Sequence, residues 1–161
     1  MEANRVNSWL TLGANFGVLI GIILLVIELD QNREMIQAQT RNDIARQLSE
    51  YLSMLGSDSQ LSSLVRRAET GEELSADEAH QQFLLFTANK RLWENIHYQY
   101  RHGMFEENEF EAERTAWRFL INRDRSFARN WCVTRANYSP EFVVELENLL
   151  EKDVCTITQD E

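Results

Sequence analysis

Residues 9–27 read WLTLGANFGVLIGIILLVI, with no charge anywhere in the run. Coiled at about 1.5 Å per residue, this stretch spans roughly 28 Å, the thickness of a bilayer's hydrocarbon core. A soluble core helix of that length carries a polar stripe; here only Thr11 and Asn15 are polar. A cleaved leader fits less well. Arg5 is accompanied by Glu2, the apolar run is long, and no small-x-small site follows Ile27. The run passes directly into Glu28-Leu29-Asp30-Gln31-Asn32 and keeps a helical pattern, so the expectation is a retained transmembrane helix over residues 9–28, after a short segment 1–8.

Within the span Gly13, Gly17 and Gly21 recur every four residues. Lipid tails give helices no hydrophobic reason to associate, so close backbone approach must hold them together, and glycines at this spacing permit it. Gly is also common in membrane helices generally, but three in register favour a helix–helix contact. Asn15 adds an amide able to hydrogen-bond to a neighbouring helix. The partners expected are therefore the lipid bilayer and either further copies of this chain or a larger membrane protein complex. Before the span there is only Arg5, whereas Arg33, Arg41 and Arg46 follow it. The positive-inside rule then places the C-terminal part in the cytoplasm.

Beyond the span no Gly or Pro intervenes until Gly56, and Ile36, Ile44, Leu48, Tyr51, Leu52 and Leu55 form an apolar stripe at helical spacings. One helix from about residue 7 to 55 is the economical reading, with residues 29–55 as an amphipathic extension that packs on the later helices or on a neighbouring copy. Residues 56–151 then read as a helical cytoplasmic domain. Gly71 closes a short helix, and Ser75-Ala76-Asp77-Glu78 is a capping box that opens the next, which stops at Gly103. Acids from Glu106 to Glu113 precede Arg114, Arg118 and Arg123, the order that a helix dipole favours. Asp124 caps a further helix to about Asn137. Ser139-Pro140-Glu141 supplies an N-cap and a first-turn Pro for a last helix to Leu150. A polar tail occupies residues 152–161. The fold class expected is all-α: a transmembrane helix continuing into a long amphipathic helix, then a compact bundle of four to five helices.

The whole chain of 161 residues carries a formal net charge of −10, which excludes phosphate-led nucleic-acid binding. Cys132 and Cys155 are too few for a disulfide framework. Their spacing permits a bridge, but inert reduced thiols are favoured, and these suit a cytoplasmic domain. Glu94 and His97 stand three residues apart, as ligands do in di-iron carboxylate bundles, but the second Glu-x-x-His of such sites is missing. Asp77 and His80 share that spacing near the start of the same helix. Asp77-Glu78-Ala79-His80 spells a helicase box without the phosphate-binding loop that gives such a box meaning. The aromatic residues, Trp93, Trp117 and Trp131 among them, fall at core spacings. Arg114, Arg118, Arg125 and Arg129 are the candidate anion site, diluted by nearby acids. No catalytic residue, metal ligand or cofactor is assigned.

The span running into Glu-Leu-Asp-Gln-Asn-Arg-Glu, with Arg129-Asn-Trp131 followed by Ser139-Pro-Glu-Phe142, resembles a family of uncharacterised bacterial single-pass inner-membrane proteins. The likeness covers most of the chain and departs at Trp131, single where the relatives carry a Trp pair. It implies a bacterial inner-membrane location and brings no activity. A non-enzymatic assembly protein is thus the leading expectation. A membrane-tethered sensor or ligand-binding module is second, and a metal-dependent enzyme using Glu94 and His97 is third.

Overall fold

The computed structural model describes residues 2–123, 125–151 and 155, and no strand occurs among them. The chain is all-α and divides into two units, Met1–Gln39 and Thr40–Glu161. The first helix, α1, runs from Glu2–Ser57 without a break. Its residues up to Gln39 belong to unit 1, in which the apolar side chains from Trp9 to Leu29 are all exposed. One long apolar helix is thus present that could cross a membrane by length and composition, a test that a soluble core helix or a signal sequence also passes.

Unit 2 begins inside the expected amphipathic extension. There α1 buries Ile44 and half-buries Leu48, Tyr51 and Leu55, while Leu52 stays exposed. Helix α2 (Ser59–Thr70) starts where the Asp58 carboxylate accepts the N–H groups of Gln60 and Leu61, and ends at Gly71. At φ 77° Gly71 sits in the left-handed region that a side chain would strain. Helix α3 (Ala76–Arg101) opens on the complete capping box: Glu78 N–H donates to Ser75 Oγ, and Ser75 N–H donates to Glu78 Oε2. Glu78 also holds Arg67, which ties α2 to the start of α3. Helices α4 (Glu107–Arg123), α5 (Arg125–Thr134) and α6 (Pro140–Glu147) follow, with a 3-10 turn over Arg135–Asn137. The cap expected from Asp124 and the tail, apart from Cys155, lie outside the described residues.

Aromatic rings fill the core. Trp93 and Trp117 stack at 5.3 Å, Tyr100 stacks on Phe110 at 4.0 Å, and Phe127 meets Phe86 edge-on at 4.9 Å. Such pairs add about 0.5–1.5 kcal/mol each beyond area burial. Phe83 and Phe119 belong to the same periodic pattern but are exposed.

Three expectations need correction. Cys132 and Cys155 are bonded to each other, closing a 23-residue separation and fastening the chain beyond α6 to α5. Ser139 is the N-cap residue of α6 with Pro140 in its first turn, as the sequence predicts, but the Ser139 hydroxyl makes no capping hydrogen bond. Helix α6 also ends at Glu147, short of Leu150. There the N–H groups of Leu149 and Leu150 turn back to Leu146 and Glu147, and Asn122 takes hold of the chain. Its Nδ2 donates to Leu149 O and its Oδ1 accepts from Glu151 N–H.

Candidate functional site

The glycine row lies on α1. A Cβ built at Gly13, Gly17 or Gly21 would meet nothing within 4 Å among the described residues. At 3.6 residues per turn the three occupy a band about 80° wide. Asn15 is displaced from the middle of that band by about 160°, so it faces the opposite side of the helix. The glycines and Asn15 therefore cannot serve one contact.

The four arginines proposed as an anion site are put to different uses. Arg114 is held between Glu111 and Glu145, each at 2.6 Å, which joins α4 to α6 and neutralises its charge. The hydrogen bond to Glu111 leads in pushing the Arg114 pKa up. Arg118 is exposed on α4. The side chain of Arg125 lies outside the described residues. Arg129 lines a groove of about 260 Å³ between α3 and α5, with Gln82, Phe83, Phe86, Ser126, Asn130 and Val133 among the other lining residues. It makes no ion pair among the described residues.

Behind this groove lies a feature with no signal in the periodicity. Lys90 is fully buried, although it lies on the polar-looking part of α3. Its Nζ donates to Asn130 Oδ1 and, at 3.0 Å, to Thr134 Oγ1. The rings of Phe127 and Tyr138 lie 5.4 and 5.9 Å from it. No carboxylate pairs with it among the described residues. Burial drives the pKa of Lys90 down to about 8, so the group is still mainly an ammonium at neutral pH. A lone lysine on a helix ordinarily belongs to a solvated face, and it is the polar partners on α5 that give Lys90, one of two lysines in the chain, a buried place.

Glu94 and His97 do not share a task. Glu94 Oε1 accepts the Ser139 N–H at 2.7 Å, and Oε2 accepts from Arg91 at 2.6 Å. Burial raises the Glu94 pKa, but the Ser139 N–H, Arg91 and the Ser139 hydroxyl together hold it below the ordinary carboxylate value. His97 is buried between the rings of Phe110 and Phe142, and burial lowers its pKa. Among the described residues no group of three or more His, Cys, Asp or Glu is placed to hold a metal.

No family model, no curated protein and no solved structure matches this chain.

Proposed function

We propose that this chain is a membrane-anchored, non-enzymatic assembly protein, which self-associates or serves as an accessory subunit of a larger membrane complex. The observation that carries the reading is the glycine row on an apolar helix window that is 0 % buried. A soluble core helix of this length is mostly covered by its own protein. This one leaves its apolar surface to lipid and its glycines to a second helix. Apolar surface also remains in unit 2, where Leu52 borders grooves of about 440 and 390 Å³ on either side of it. Leucine in place of Gly13, Gly17 and Gly21 prevents close helix approach. The triple variant, extracted in mild detergent, is expected to run as a smaller particle than the parent, and an unchanged particle size would remove the glycine face from the account.

The same proposal sets unit 2 on the cytoplasmic side of a bacterial inner membrane, on the strength of Arg33, Arg41 and Arg46 against Arg5. The Cys132–Cys155 bond weighs the other way, because the thiol pool of that compartment keeps such pairs reduced.

A further inference from the structure

We propose that the groove between α3 and α5 binds a small organic carboxylate, its anionic end on Asn130 and Arg129 and its apolar end on Phe83, Phe86 and Val133. The argument begins at Lys90. A lysine ammonium has donors and no acceptor, so the atom of Asn130 that faces it must be the amide oxygen. The Asn130 amide is thereby fixed in one sense, with Nδ2 turned away from Lys90. Asn130 lines the groove, and its Nδ2 has no partner among the described residues. Arg129, one residue earlier on α5, lines the same groove with an uncommitted guanidinium.

Both side chains line the groove, and the buried Lys90 ammonium donates to Asn130 from behind it. No lining residue is acidic, although acids outnumber Lys and Arg by 26 to 16 in the chain as a whole. The other lining residues include the apolar Phe86, which is buried, and Phe83 and Val133, which are 40 % and 74 % exposed, beside Gln82, whose amide donates to Ser126. Positive potential with planar N–H donors selects a carboxylate, and the apolar walls select one with a short hydrocarbon part over an inorganic ion. At about 260 Å³ the groove falls below the ~300–1,000 Å³ of drug-sized sites, which limits the ligand to a small one. The inference stands apart from the assembly reading, since it uses only residues of α3 and α5.

Hexanoate, titrated into the full-length chain in nanodiscs, tests it through the NMR signals of the Asn130 side-chain amide and the Val133 backbone. Both are expected to shift saturably, and 1-hexanol, hexylamine and inorganic phosphate are each expected to bind at least tenfold more weakly. Arg129→Gln, at an exposed position, should weaken hexanoate binding at least tenfold. Asn130→Asp keeps an acceptor for Lys90 but turns an acid towards the groove, and should abolish binding with the fold intact. The proposal is overturned if hexanoate gives no saturable shift, if hexanol or phosphate binds as well as hexanoate, or if both variants bind as the parent does.

Discussion

The carboxylate of Glu94 accepts the backbone N–H of Ser139 at 2.7 Å, fixing the entry to α6 from the middle of α3. One side chain of a helix-spaced Glu-x-x-His pair is therefore consumed in joining two helices across 45 residues of sequence. Glu94→Ala strips a charged acceptor from Ser139 and from Arg91, and should lower stability by about 2 kcal/mol, the scale for hydrogen bonds to charged groups. Glu94→Gln, which keeps an acceptor oxygen, should cost less. Thermal unfolding of the two variants checks the order; equal losses would mean that a neutral acceptor oxygen contributes nothing and that the charge carries the whole effect.

Acid should weaken the junction of α2 and α3 between pH 4.5 and about 2. Arg67 first, then the Ser75 backbone and hydroxyl, hold the Glu78 pKa at about 2, against an ordinary value of 4.5. A depressed folded pKa means that the unfolded chain binds the proton more readily. The stabilisation is complete above pH 4.5 and is lost as pH falls through about 2. Glu94, also depressed, acts in the same direction. Glu78→Gln should flatten the fall in melting temperature across this window, whereas an unaltered acid profile would place the acid sensitivity elsewhere. Ser75→Ala, which removes the reciprocal half of the capping box, should cost about 1 kcal/mol at neutral pH.

At alkaline pH the sign reverses. Lys90 has its folded pKa lowered from 10.5 to about 8, so between those values the unfolded chain carries a proton that the folded one has shed. Stability should therefore rise with pH from about 8 towards 10. Above that range Tyr51 and Tyr138, whose pKa values are raised by burial, oppose the rise. Lys90→Met removes the upward slope. A parent protein whose stability stays flat or falls between pH 8 and 10 would contradict the burial of an unpaired ammonium.

The helices were legible because their punctuation is local. Ser75 and Glu78, Gly71, Gly103 and Pro140 each act within a turn of their own position, and each stands where the pattern puts it. The groove was legible only in part. Arg129 could be singled out as a cation, but its use depends on Asn130, whose orientation is set by Lys90 some 40 residues away in sequence. Arg114 carried the same signal and is spent on Glu111 and Glu145. Charge type is written in a sequence, whereas the partner that consumes it is fixed by the fold. Cys132 and Cys155 follow the same rule, because nothing local announces that the chain after α6 returns to α5.

Reduction of that bond provides a separate test of stability and of orientation. Opening a 23-residue loop should cost about 3 kcal/mol by chain entropy, read as a drop in melting temperature with added reductant. In growing cells a membrane-permeant maleimide should label both cysteines and an impermeant one neither, as a cytoplasmic domain requires. Cysteines found bonded in untreated cells, with unit 2 open to added protease in spheroplasts, would place the domain on the opposite side.

The central claim is that α1 is an assembly helix in a membrane, and its most direct test is the mass and subunit content of the particle extracted from native membranes with its lipid. The account predicts a particle of several chains, all of this sequence or joined to a larger membrane complex, and its dissociation when Gly13, Gly17 and Gly21 become Leu. A single chain of 18.9 kDa in its lipid shell, with no companion, would contradict it.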